Sequence, residues 1–126
     1  MQIAFWSPVH GQTATTSNAL ALGCMMGIDY RLRMLLTHNH FVKSTMEASL
    51  MGKEFLEGNG NELKDIGIDA LSRYIRYNRL DEDSLKSYTK TLLRNRLDLL
   101  IGTRSVNRNL FLKEMEASIE DVFEIA

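Results

Sequence analysis

Apolar residues fall in short blocks separated by polar or small-residue stretches, and the blocks switch between strand and helix periodicity. Ile3-Ala4-Phe5-Trp6 is a continuous apolar run, the length of a strand covered on both faces of a sheet. Phe5 and Trp6 are adjacent, so on such a strand they face opposite sides. Small and hydroxyl residues follow as far as Ser17. From Thr16 to about Gly27, apolar positions at Ala19, Leu20, Leu22, Cys24, Met25 and Met26 make a helix apolar nearly all round, as under a sheet. Gly27 is placed to end it. Arg33-Met34-Leu35-Leu36-Thr37 reads as a second strand, and so short a crossover favours a parallel, right-handed pair.

The same alternation continues downstream. Ser44-Thr45-Met46-Glu47 has the spacing of a capping box and opens a helix expected to stop near Gly58-Asn59-Gly60. Ile66, Ile68, Leu71, Tyr74 and Ile75 fit a further helix. Asp81-Glu82-Asp83-Ser84 caps another, carrying Leu85, Tyr88, Leu92 and Leu93. Leu97 to Ile101 is a third strand. Asn109 to Ile125 is a helix with Leu110, Met115, Ile119, Val122 and Phe123 on its apolar face. The pattern predicts an α/β domain in which helices flank a parallel sheet, with no repeats.

Composition narrows the function classes. A chain of 126 residues with 44% apolar and 25% charged residues is one domain able to bury a core of its own. Its net charge of −1 argues against nucleic acid as a partner. Arg73, Arg76 and Arg79, with Tyr74 and Tyr77 beside them, read as a solvated helix face before they read as a DNA patch. No apolar run reaches the ~18 residues of a membrane span, and no basic-then-apolar leader opens the chain. Cys24 is a lone cysteine in an apolar stretch, which suits a small buried hydrophobe in a reducing, cytoplasmic setting.

The chemistry concentrates between the first strand and the first helix. An apolar strand, a loop of small residues and a helix opened by hydroxyls form a phosphate cradle, because loop N–H groups and the helix N-terminus converge on an anion. The strict P-loop pattern would need glycine at Val9 and Ala14 and lysine at Thr15, and only Thr16 matches.

His10-Gly11-Gln12-Thr13-Ala14-Thr15-Thr16-Ser17 resembles, in order, the deviant Walker A of the MinD/ParA-like ATPases, K-G-G-x-G-K-[ST]-[ST]. It is closer still to the CpaE/TadZ-like pilus-assembly branch, where the lysine is often replaced by a small residue or threonine. Leu97-Asp98-Leu99-Leu100-Ile101-Gly102-Thr103 resembles that family's later strand running into a small-residue loop. The resemblance implies a P-loop NTPase-like fold over residues 1–126, ending before the strand that bears the Walker B carboxylate. It implies ATP as cofactor, held by Gly11, Gln12, Thr13, Ala14, Thr15, Thr16 and Ser17, with Thr16 also on Mg²⁺ and Ser17 at the α-phosphate. Nucleotide would act mainly as a ligand for homodimerisation in the spatial organisation of a membrane-associated assembly. Thr15 cannot supply the lysine charge, so little or no hydrolysis is expected from this chain alone and no residue is assigned a catalytic role. The alternative is a non-catalytic interaction domain that kept the fold and lost the nucleotide.

His38-Asn39-His40 follows the second strand. Two histidines at i and i+2 share a face of a continuing strand and could be half of a metal site. His10 is the only other histidine, so polar residues at the carboxyl edge of a sheet are the plainer reading.

Overall fold

The computed structural model describes residues 1–8, 14–39, 50, 66–103 and 107–125. Among them are α1 (Thr15–Asp29), β1 (Met34–Leu36), α2 (Ile68–Ile75), α3 (Glu82–Ser87), β2 (Lys90–Leu93), β3 (Leu97–Leu99) and α4 (Arg108–Ile125). The strands form one sheet in the order β1–β3–β2. It is a small mixed α/β fold.

β1 and β3 are parallel, with Met34 opposite Leu97 and Leu36 opposite Leu99. Hydrogen bonds beyond the strand ends extend the ladder: Met34 N–H donates to the Arg96 carbonyl and Leu100 N–H to that of Leu36. β2 runs antiparallel to β3, with Lys90 opposite Leu99, so the sheet is not wholly parallel. The reason is local. Only Arg94-Asn95-Arg96 separates the two strands, and three residues can close a hairpin but not a crossover. Asn95 takes the left-handed conformation at φ 58°, which asparagine tolerates. The helix expected through Leu93 therefore ends at Ser87, where Tyr88 N–H donates to the Leu85 carbonyl at 3.1 Å.

Two clusters of apolar side chains cover the two faces of the sheet. Leu99 and Ile101 pack with Leu20 of α1, Leu36, Leu50, Ile66 and Leu92. Leu100 packs on the other side with Ile68 and Leu71 of α2, Leu85 of α3, and Phe111 and Val122 of α4. β1 splits the same way, with Leu36 in the first cluster and Leu35 against the second, as strand alternation requires. Leu71, Leu99, Leu100 and Val122 have no exposed surface. Each such side chain contributes roughly 1.5–3 kcal/mol relative to staying in water.

α1 continues past Gly27 to Asp29, with Tyr30 N–H closing on the Met26 carbonyl. Gly27 does not end the helix because it does not take the left-handed turn of a helix-ending glycine, and a β-carbon there would meet Arg96 and Leu93 at 3.7 Å in ordinary contact. Gly67 has a different role. Ile66 lies in one cluster and Ile68 in the other, so the chain crosses the end of the sheet here. Gly67 does so at φ 89°, with a β-carbon position 3.0 Å from the Ile101 carbonyl oxygen. Only glycine takes this conformation without strain.

The expected N-terminal strand is not formed. Residues 1–8 join no ladder, and Ile3, Phe5 and Trp6 are exposed. β3 has both edges occupied, by β1 and β2, so only an outer edge of the sheet could take another strand, and this segment pairs with neither. The capping box at Ser44 and the Gly58-Asn59-Gly60 loop lie outside the described residues.

Candidate functional site

The direction of α1 over the sheet fixes where its N-terminus points. Gly27 lies against Arg96 and Leu93 at the amino end of β3, and Gly23 against Leu97 and Leu36. α1 thus runs opposite to β1 and β3, and at 1.5 Å per residue its first turn is carried to the carboxyl ends of the parallel pair. That end of an open α/β sheet is where ligands bind.

Ala14, Thr15, Thr16 and Ser17 are brought together there; Gly11, Gln12 and Thr13 lie outside the described residues, as does His10. Ala14 is the N-cap at φ 50°, ψ 25°, with no side-chain cap, and its carbonyl accepts from Asn18 N–H at 2.9 Å. Thr15, Thr16 and Ser17 make the first turn of α1. Thr15 and Thr16 are half-buried and Ser17 exposed. The left-handed residue, Ala14, stands where the deviant Walker A pattern has glycine.

Residues from two further elements share this pole. His38, two residues beyond β1, lays its imidazole against Gly102, three beyond β3. A β-carbon on Gly102 would collide with His38 Cε1 and sit 2.9 Å from Nε2. Next to Gly102, the Thr103 hydroxyl donates to Asp69 Oδ1 at 2.7 Å, tying the loop after β3 to the first turn of α2. Sequence reasoning placed His38 at the sheet edge, whereas Asp69 and the seat on Gly102 escaped it. The hydroxyl-to-carboxylate pairing joins elements far apart in the chain, and no local pattern announces it. Among the described residues, no group of three or more His, Cys, Asp or Glu could hold a metal ion. His40 lies outside them.

Two residues of the basic-aromatic stretch, Arg76 and Tyr74, are paired within the fold, while Tyr77 is exposed. Arg76 pairs with Glu114 of α4 at 3.0 Å. The Tyr74 hydroxyl bonds Ser84 Oγ at 3.0 Å, and its ring tilts against Tyr88 with centroids 5.4 Å apart. Tyr74 is therefore unavailable as a base-stacking platform. At the opposite pole a cavity of about 270 Å³ opens between Arg33, Glu82, Asp98 and Ile125. Glu82 there bonds Arg33 and Lys86, and the hydrogen bond from Arg33, followed by its charge, holds the carboxyl below its usual range. No helix among the described residues is long and apolar enough to cross a membrane.

Comparison with protein-family models, curated proteins and solved structures returned no match. The site is defined by its own geometry.

Proposed function

We propose that this chain binds ATP with Mg²⁺ in a degenerate P-loop at the N-terminus of α1, and acts in the spatial organisation of a cellular assembly, as the resembling MinD/ParA-like proteins do. One observation carries the reading: Ala14, at the glycine position of the deviant Walker A, has a left-handed backbone directly before a helix that opens Thr15-Thr16-Ser17. A left-handed residue ahead of a helix turns successive N–H groups into a concave anion nest. The first-turn N–H groups of α1 and the Thr16 and Ser17 hydroxyls are donor types that suit a phosphate and its Mg²⁺. Backbone N–H groups from Gly11 to Thr16 would cradle phosphate, the Thr16 hydroxyl would ligate Mg²⁺, and Ser17 would lie at the α-phosphate. Thr15 brings no charge, so the site is suited to binding rather than turnover. Bound nucleotide would then act as a dimerisation ligand in a cytoplasmic protein whose partner belongs to a membrane-associated assembly.

Titration calorimetry with ATP, with and without Mg²⁺, tests this. Mg²⁺-dependent binding that Thr16→Ala weakens is the expected result. Absence of heat at millimolar ATP would overturn it. A second reading, an interaction domain without nucleotide, is favoured by a separate observation: Met25, Ile28 and Tyr30 expose large apolar surface along and just beyond α1. Binding of a protein partner that ATP leaves unchanged would select that reading.

A further inference from the structure

We propose that the cavity bounded by Asp98, Leu35 and Leu85 binds a small organic ammonium ion with an apolar body, and that the Asp98 carboxylate anchors it. This site is separate from the nucleotide site, since α1 packs on the other face of the sheet. Asp98 is the middle residue of β3, itself the central strand. Leu99 packs on the α1 side and Leu100 on the opposite side, so strand alternation turns Asp98 toward the face of Leu100. Its register partner Leu35 lies on that same face. A half-buried carboxylate therefore stands on a sheet face that packs against α2, α3 and α4, and it opens into a cavity of about 270 Å³.

The charges around this cavity are unevenly satisfied. Arg33 and Lys86 both pair with Glu82, whereas Asp98 has no hydrogen bond or ion pair among the described residues. A carboxylate beside apolar side chains keeps its charge at a desolvation cost that a donor offsets. Water serves it in the empty cavity, and a ligand carrying its own charged donor does so with a stronger bond. Ammonium is the matching group, positive and with three donors. The trio of Arg33, Glu82 and Lys86 carries two cations against one carboxylate, so it repels a cation and directs it to Asp98. Leu35, Leu85 and Ile125 supply walls for a hydrocarbon body of a few carbons, the size that a volume just under the roughly 300–1,000 Å³ of ordinary ligand pockets accepts. Hard metal cations are poorly served. They need several oxygen ligands, and no group of three or more His, Cys, Asp or Glu is assembled among the described residues. A plain amine and an apolar α-amino acid share the required chemistry; the carboxylate of the second would meet the remaining donors of Arg33 and Lys86.

The test follows backbone amide shifts of the full chain by NMR while three probes of similar shape are added at one pH: isoamylamine, isoamyl alcohol and L-leucine. Isoamylamine should shift the Leu35, Leu85 and Asp98 amides saturably. It should bind roughly tenfold tighter than the alcohol, the worth of one charge-assisted contact. Asp98→Asn should weaken the amine about tenfold and leave the alcohol unchanged. Leucine binding tighter than the amine, with the gain lost in Lys86→Ala, assigns the site to α-amino acids; leucine binding no tighter assigns it to plain amines. Equal affinity of the wild-type chain for amine and alcohol would overturn the proposal, and that comparison requires no variant to fold. Amine binding by Asp98→Asn as tight as the parent's would overturn it as well. So would the absence of saturable shifts at those three amides up to the solubility limit of the amine.

Discussion

The His38 imidazole occupies the space in which position 102 would carry a β-carbon, so the ends of β1 and β3 are locked by a ring resting on a glycine. Gly102→Ala is therefore expected to push the ring aside. The cost should be on the order of 1 kcal/mol, the low end of overpacking penalties, because the colliding atoms are the far end of a side chain that can swing away. The double variant Gly102→Ala, His38→Ala should recover most of that loss. Urea denaturation of the four proteins in this cycle measures the coupling; independent, additive effects would mean the ring does not rest there.

Ala14 has φ 50°, a conformation costing a non-glycine residue roughly 1–2 kcal/mol. Glycine removes that cost and loses about 0.4–1 kcal/mol through its freer unfolded chain. Ala14→Gly should thus be stabilising by about 0.5–1 kcal/mol. Joined with Thr15→Lys, it should also tighten ATP binding, since the pair restores both the glycine and the charge of the Walker pattern. Calorimetry showing no gain for the double variant over the parent would mean that the loop has left nucleotide geometry.

Ser118 on α4 and Ser72 on α2 bond hydroxyl to hydroxyl at 3.1 Å, both buried. Ser118→Ala leaves the Ser72 hydroxyl short of a partner and should cost about 1–3 kcal/mol. Replacing both by alanine should cost clearly less than the two single losses added. Additive losses in chemical denaturation would show that the hydroxyls find other partners.

Acid should loosen the start of α3. Ser84 holds the Asp81 carboxyl below its usual value by hydrogen bonds from its side chain and its N–H, and Arg33 does the same for Glu82. A carboxyl whose folded value is depressed contributes stability that is fully present above its unfolded value, and that is lost as pH falls through the folded value. Stability should therefore decline as pH drops below the ordinary values of 3.8 and 4.5. Asp81→Asn keeps an N-cap acceptor without a titrating group, so its unfolding midpoint should fall less steeply across that range than the parent's. Parallel pH curves for the two proteins would exclude the cap as the cause.

The N-terminal run should be energetically light. Trp6 is 82% exposed and residues 1–8 join no strand. Fluorescence of this single tryptophan should show water-exposed emission and ready quenching by acrylamide. Deleting residues 2–6 should leave the unfolding midpoint close to that of the full chain. A blue-shifted, protected Trp6 would mean that the segment adds to an edge of the sheet.

What the sequence disclosed, and what it withheld, divides along local and non-local physics. Helices α2 and α4 were legible because their apolar positions recur at helical spacing, α1 because its run is apolar nearly all round, and Asp81 is a cap by residue type and offset alone. β1 and β3 were legible as dense apolar runs. β2 was not, because Leu85, Tyr88, Leu92 and Leu93 also satisfy a helix. The signal that decides it is Asn95, whose tolerance of positive φ permits the reversal. Ile3 to Trp6 looks like a buried strand, yet a four-residue apolar run says nothing about whether an edge exists to receive it. At the candidate site, the run of hydroxyls opening α1 could be read directly. The seat of His38 on Gly102 and the Thr103–Asp69 bond could not, since both arise where β1, β3 and α2 meet.

The arrangement of β2 and β3 also bears on how the chain reaches this state. They are neighbours in sequence, joined by three residues, so their ladder can form as a hairpin on the microsecond scale. The β1–β3 ladder instead closes a loop that contains α2, α3 and β2, and such distant pairings are the slow ones. On this basis the hairpin is expected to form before β1 aligns on its edge, and the pole that carries His38 to assemble after it. Substitutions at Asn95 should slow folding, whereas substitutions at Leu35 should chiefly hasten unfolding, and stopped-flow rates would separate the two.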